Sequence, residues 1–322
     1  MMRVPAVVES SVVGELEGLR GPIFAYCYRM LGSSHDAEDA VQETMVRAWR
    51  SLGRLEDPSG LRPWVYRIAT NVCIDASKRG RRRALPMDLA GPNDGRGDLG
   101  APLPESVWVE PVPSRLVEAD GDPLERAVSR ETIRLAFVAA LQHLLPRQRA
   151  VLILRDVLRW KAAEVAELLE TSVDAVNSTL RRARAALVEA RGAENRAQGE
   201  DAVDPRLLDS YVEAFERFDV ERIVALLHRD VVVSMPPFSF WLRGREAFRV
   251  WLESGGTGCE HARLVLTEAN GCPAVALYRV GDDGVLAPSA IHVLEWCRGQ
   301  VTSLHAFLNP SLFSRFGLVD GG

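Results

Sequence analysis

Residues 61–83 read LRPWVYRIATNVCIDASKRGRRR. Pro63 suits a first helical turn, where its missing N–H is no loss. Val65, Ile68, Ala69 and Val72 then fall toward one side. Trp64, Arg67, Asn71, Asp75 and Arg79 recur at three- or four-residue spacing, so an aromatic ring and polar groups share a stripe. The helix runs into Lys78-Arg79-Gly80-Arg81-Arg82-Arg83. Flat rings stack on unpaired bases and a basic cluster neutralises phosphates, so the pattern suits a single nucleic-acid strand. A buried Trp64 beside a solvated basic loop fits these residues equally well.

Upstream, residues 36–52 read DAEDAVQETMVRAWRSL. Ala37, Val41, Met45 or Ala48, and Leu52 form one apolar face of a helix. Asp36, Asp39, Gln42 and Glu43 form the other, and acids in a first turn suit the helix dipole. From the residues alone, a solvated face is favoured over a docking face.

Downstream, LLPRQRAVLILRDV (144–157) opens a helix after a proline. A short helix follows from Trp160 to Leu169, then a turn at Glu170-Thr171-Ser172, then an arginine-bearing helix from Val173 to Leu187. That order is the helix-turn-helix pattern. Ala166 is small where the helices cross, and Val165, Leu168, Val173, Val176 and Leu180 fill the seam. Asp174, Asn177, Ser178 and Arg181 lie near the start of the second helix, where base edges are reached. Arg182 and Arg184 are better placed for phosphates. An arginine-rich solvated helix is the alternative.

The segments at 36–52 and 61–83, in this order and at this separation, closely resemble the second region of extracytoplasmic-function sigma factors. The strings at 144–157 and VNSTLRRARAAL (176–187) resemble region four of the same family. Arg159-Trp160-Lys161 departs from the bulky apolar residue and tyrosine that often stand there. The resemblance implies that Asp36, Asp39, Gln42 and Glu43 dock on the clamp helices of the polymerase largest subunit. Trp64, Arg67, Asn71, Asp75 and Arg79 would meet flipped bases of the −10 element, because a base shows its pairing edge only outside the stack. The helix-turn-helix residues would read the −35 element.

Charge is segregated along the 322 residues, although the net charge is −5. Residues 1–83 carry 13 basic and 10 acidic side chains, and residues 129–196 carry 12 and 8. Between them, residues 84–128 carry 3 and 9, and residues 197–322 carry 11 and 17. Two basic modules, an acidic linker and an acidic appendage are what a nucleic-acid binder with a non-binding addition shows. The linker holds Pro86, Pro92, Pro102, Pro104, Pro111, Pro113 and Pro123, a composition for a tether rather than a core. In the resembled family the connector threads the basic active-site channel, which an acidic segment suits. A plain solvated tether fits the composition as well.

From Asp204 the pattern changes again. Helices at Arg206–Phe218 and Val220–Leu227 precede strand-like runs at Val231–Met235, Ala262–Ala269, Ala274–Val280, Ala290–Cys297 and Val301–Phe307, an α+β order. LLDSYVEAFERFDVERIVALLHRDVVVSMPP (207–237), WLRGREAFRVWL (241–252) and HVLEWCRGQVTSLHAFLNPSLFSRFGL (292–318) resemble a SnoaL-like domain of the nuclear-transport-factor-like fold. Such domains curl a sheet around helices into a cone with a pocket. Trp241, His292 and His305 are the candidate pocket residues. Some members of the resembled family use a pocket Asp or His as general base, and the candidates here are Asp230, His292, Glu295 and His305. His292 and Glu295 are an odd number apart, so on one strand they face opposite ways and make no acid–base pair. For Trp241, Trp251, Met235, Phe238 and Phe240, plain core is favoured over a pocket.

No apolar run reaches the roughly 18 residues that a membrane helix needs. The five cysteines, Cys27, Cys73, Cys259, Cys272 and Cys297, make no CxxC pair, which argues against a zinc ribbon or disulfide frame. A cytoplasmic protein without export signal, metal or cofactor is expected. The expected architecture is multidomain. An all-α module spans residues 9–83, a linker 84–128, an all-α helix-turn-helix module 129–192 and an α+β cone 204–320. The expected activity is that of a sigma factor, not an enzyme. Its partners would be core RNA polymerase, promoter DNA and its own C-terminal domain, which would act as a regulator. A small ligand or anti-sigma partner is not legible. The alternatives are a ligand-responsive helix-turn-helix regulator and a tethered isomerase or cyclase.

Overall fold

Apolar spacing builds the first helices. A computed structural model describes residues 6–55, 57, 60–80, 82–118, 130–191, 205–254, 260, 262–280 and 284–318. The expected turn at Pro58-Ser59, Arg81, Cys259, the last ten residues of the linker and the boundary at 193–204 lie outside these. Helices α1 (Ala6–Gly18), α2 (Arg20–Leu31), α3 (Ser34–Ser51) and α4 (Leu61–Arg79) make the first module. Gly32 ends α2 in the left-handed conformation, φ 69°. Ser33 starts α3, its hydroxyl oxygen accepting the Asp36 amide at 3.1 Å.

The second module holds α5 (Leu135–Gln142), α6 (Pro146–Leu152), a π-helical turn (Ile153–Val157), α7 (Ala162–Leu168) and α8 (Val173–Arg191). The two modules pack as one unit, residues 1–83 with 116–192. Their seam is polar and buried. Arg29 donates from Nη2 to the Thr132 hydroxyl at 3.1 Å and from Nε to its carbonyl at 3.3 Å. Arg149 donates to the carbonyls of Leu141, Gln142 and Leu144, and to Met30 of α2 across the seam. Tyr66 of α4 meets Trp160 edge-on, ring centroids 5.1 Å apart.

The other unit is α+β. It contains α9 (Pro205–Glu216), α10 (Val220–Leu226), β1 (Leu227–Ser234), β2 (Trp241–Arg243), α11 (Arg245–Glu253), β3 (Ala262–Ala269), β4 (Cys272–Val280), β5 (Leu286–Cys297), β6 (Gln300–Phe307) and α12 (Leu312–Phe316). The sheet order is β2-β1-β6-β5-β4-β3. Among the described strands, only β1 and β6 pair in parallel. One sheet face closes on the helices through Tyr211, Phe215, Phe248 and Trp251 against Val233, Leu294, Trp296 and Leu304. The expected strands are present, β3 with the expected limits. β2 was not expected, because three residues are too short to show alternation.

The linker departs most from expectation. Residues 84–115 belong to the α+β unit. They run over this unit as a strap, from β2 and α11, past Pro237, to the β3–β4 turn. Trp241 donates its indole N–H to the Ala90 carbonyl at 2.7 Å, and its own carbonyl accepts the Asn93 amide at 2.8 Å. The Val112 amide donates to Asn270 Oδ1 at 3.0 Å, and the Asn270 amide returns a bond to the Val112 carbonyl at 2.9 Å. Arg115 donates to the carbonyls of Arg315 and Phe316. Trp108, Val109 and Val112 are buried. Proline and glycine mark the absence of regular structure here, not of packing: an irregular chain is stable where neighbours satisfy its backbone. Gly95 makes the fit possible. Its φ is +86°, and a Cβ there would strike the Ala247 carbonyl and lie 3.1 Å from the Trp251 amide of α11. Gly95→Val is expected to lift this stretch of strap and speed trypsin cleavage at Arg96, whose side chain is already exposed, at a cost of about 2 kcal/mol or more. Limited proteolysis and thermal melting check it, and an unchanged digest at Arg96 contradicts it.

Candidate nucleic-acid interface

The acidic helix α3 buries Ala37, Ala40, Val41, Thr44, Met45 and Ala48. Asp39, Gln42 and Glu43 are exposed on the opposite face. Asp36 is half-buried and accepts from Arg83 Nη2 at 2.7 Å. Arg47 steadies Glu43 at 2.6 Å. The same face exposes Val46 and Trp49, the latter by 48%. Sequence reasoning missed these two. The signal was their spacing: Val46 lies four residues after Gln42 and seven after Asp39, and Trp49 seven after Gln42.

Helix α4 buries Val65, Tyr66, Ala69, Thr70, Val72 and Cys73. The Thr70 hydroxyl lies 2.8 Å from that of Tyr26. Asn71, Asp75 and Arg79 are exposed on one stripe, as expected, whereas Trp64 and Arg67 are half-buried at its upstream end. Asp75 accepts from Lys78 at 3.1 Å. Arg67 pairs with Glu170 of the second module. The basic cluster continues through Arg82, which is exposed, and Arg83, which is buried.

In the helix-turn-helix, Val165, Ala166, Leu168, Val176 and Leu180 fill the seam between α7 and α8. Val173 was expected there too, but it is 42% exposed at the first turn of α8, outside the crossing. Ser172 caps α8, accepting the Ala175 amide at 3.1 Å. Asp174, Asn177, Arg181 and Arg182 are exposed. Ser178 is half-buried and donates to the Ala175 carbonyl at 3.0 Å. Arg184 is clamped at both nitrogens by Asp156, at 2.9 and 2.7 Å, and this pair raises its pKa. That clamp ties α8 to the π-helical turn 28 residues upstream.

This arrangement presents an exposed acidic and apolar face on α3, a polar stripe on α4 and an arginine-bearing second helix in the helix-turn-helix. Three families match the chain in the same order: Sigma-70 region 2 over residues 16–83, Sigma-70 region 4 over 134–187, and a SnoaL-like domain over 208–303. The chain is 44% identical to the ECF RNA polymerase sigma factor SigG of Mycobacterium tuberculosis over 310 residues, covering 94% of this chain and 83% of that one. The chain belongs to the ECF RNA polymerase sigma factors. SigJ of M. tuberculosis is 32% identical over 221 residues, which are 68% of this chain and 63% of SigJ. The crystal structure of SigJ superposes with a TM-score of 0.60 at 26% identity, covering 95% of this chain and all of that one. The two Sigma-70 regions make this sigma factor a promoter-recognising subunit. Among its described residues no helix is long and apolar enough to cross a membrane.

The candidate pocket residues of the sigma factor's SnoaL-like domain do not meet. His292 lies on the helix-covered face, where its Nδ1 is 3.0 Å from the Tyr211 hydroxyl and Phe215 meets its ring edge-on. Trp241 and His305 lie on the opposite face, because their strand neighbours Leu242 and Leu304 take the interior positions. His305 Nδ1 is 2.7 Å from the Ser234 hydroxyl. Trp241 is held by the strap. The three residues are therefore two sites on two faces. Glu295 is buried and, as expected, faces away from His292, and Asp230 is exposed and paired with Arg229.

Burial lowers both histidine pKa values to about 4. The folded domain thus holds them neutral, while the unfolded chain protonates them near 6.5. Between those values the unfolded state binds more protons, so stability falls as pH drops from about 6.5 to 4, by up to about 3 kcal/mol for each histidine. Chemical denaturation of the SnoaL-like unit across that range is expected to show this slope, and His305→Gln is expected to reduce it. A slope unchanged by the substitution contradicts the assignment.

Proposed function

We propose that this sigma factor docks on core polymerase through the outer face of α3, captures −10 bases along α4 and reads the −35 element with α8. The exposed face of Asp39, Gln42, Glu43, Val46 and Trp49 carries the reading. A repressor with a helix-turn-helix has no use for a second, acidic and aromatic docking face, whereas an aromatic anchor ringed by polar groups is how binding surfaces are built. Asp36 contributes from the rim. Trp64, Arg67, Asn71, Asp75 and Arg79 serve −10 DNA. Asp174, Asn177 and Arg181 read base edges, and Arg182 neutralises phosphate. Arg184 and Ser178, held by Asp156 and Ala175, position the recognition helix rather than reading bases.

The SnoaL-like domain acts as regulator, not catalyst. The packed helix-side face, with Tyr211 bonded to His292 and Phe215 against its ring, supports this. Its means of regulation is the strap. If the connector threads polymerase, as in the resembled family, residues 84–115 must first leave the sheet. Holding them there keeps the factor idle.

Run-off transcription with core polymerase is the test. The full chain is expected to give promoter-dependent transcripts, Trp49→Ala to weaken core binding by about tenfold or more, and Arg181→Ala to relax −35 selection by about 1–3 kcal/mol. Trp241→Ala, which unpins the strap, is expected to raise transcript yield at limiting polymerase. No core binding by the full chain or by Trp241→Ala would sink the polymerase reading. An unchanged yield from Trp241→Ala would sink the strap as regulator.

A further inference from the structure

The reader of −10 DNA is already occupied. Arg67 of α4 pairs with the Glu170 carboxylate, and the adjacent Tyr66 ring packs on Trp160. Both partners come from the other DNA-reading module. Glu170 sits in the turn of the helix-turn-helix with φ +51°, a left-handed conformation that suits glycine and strains a side-chain-bearing residue. A residue in such a conformation invites a functional explanation. A carboxylate offers a guanidinium the same charge and the same paired acceptors as phosphate oxygens do.

We infer that Glu170 is an internal stand-in for promoter DNA: it holds Arg67 until the −10 strand displaces it, so that region four and the strand compete for one face of α4. The inference rests on the reading of α4 as the −10 strand's binding surface. The contact is built to exchange. Arg67 and Glu170 are 42% and 70% exposed, so water and salt reach both. Further along α4, near Ala76 and Ser77, the seam is not a dry core either: a crevice of about 260 Å³ runs between the modules, lined by Asp36, Arg82, Arg83, His143 and Arg149. An exposed pair contributes little, which sets the effect at a few-fold in affinity rather than an all-or-none gate.

The test uses the full chain and a short fluorescein-labelled DNA single strand of mixed sequence. Glu170→Gln removes the charge and keeps the shape. Glu170→Gly removes the side chain where the backbone already suits glycine, so it folds. Glu167→Gln, an exposed acid on α7, makes the same charge change one turn away. Both Glu170 variants are expected to bind the strand about two- to fivefold more tightly, Glu167→Gln not at all more tightly, and the gain to vanish in an Arg67→Ala background. Equal gains from Glu167→Gln and Glu170→Gln, or a gain that survives in Arg67→Ala, would overturn the inference. If Arg67→Ala alone leaves strand binding unchanged, the reading of α4 fails and takes the inference with it.

Discussion

Two buried guanidinium groups fix the seam between the DNA-reading modules. Arg29 and Arg149 are 3% and 5% exposed, and burial lowers both pKa values to about 10, so each stays charged at neutral pH. A buried cation must keep its donors filled. Their acceptors are mostly carbonyls at helix ends, where the backbone leaves oxygens unpaired and partly negative. Arg149 thereby joins the end of α5 and the start of α6 to Met30 at the end of α2. Once the end of α2 sits there, α4 has no choice of neighbour. Tyr66 meets Trp160, and Arg67 meets Glu170.

The same geometry decides what can open. Three of the four Arg149 acceptors lie in its own module, and only Met30 lies across the seam. Arg29 likewise keeps the Ala25 carbonyl in α2 when it loses Thr132. Separation therefore forfeits the crossing bonds to Thr132 and Met30, each worth about 1.5–3 kcal/mol because the donor is charged, together with the Tyr66–Trp160 ring contact. A partner that binds only the open form, at a hundred times its dissociation constant, offsets about 2.7 kcal/mol. Such a partner offsets part of what the seam loses, while the guanidinium groups continue to hold each module together.

The sequence carried the helices and strands but not their long-range partners. α3, α4, α7 and α8 were legible because apolar residues recur at helical period, and β3 because its polar breaks are sharp. The recognition-helix arginines were legible as a set. That Arg184 differs from Arg181 and Arg182 was not, because Asp156 lies 28 residues away and only the π-helical turn brings it near. Strand alternation told that His292 and Glu295 face apart. It could not tell which sheet face the helices cover, and so Trp241 and His305 were grouped with His292. The strap was the largest miss. Composition reports that residues 84–115 form no helix or strand, and says nothing of backbone groups met by Asn270, Trp241 or Pro237.

The charge pattern gives that strap its meaning. Residues 84–115 carry five acidic and two basic side chains, and they lie on a domain that is itself acidic. Long-range electrostatics oppose this placement. What holds the strap is therefore indifferent to ionic strength: Trp108, Val109 and Val112 out of water, and backbone bonds to Trp241, Pro237 and Asn270. Salt screens the repulsion and leaves the packing, so the strap is held more firmly as ionic strength rises. A positively charged channel acts the other way: it turns the strap's acids from a liability into an attraction while the acidic sheet continues to repel them. An acidic segment pinned by apolar anchors to an acidic surface is thus biased toward any basic partner that can reach it, and the anchors, rather than the charges, set how large that partner's pull must be.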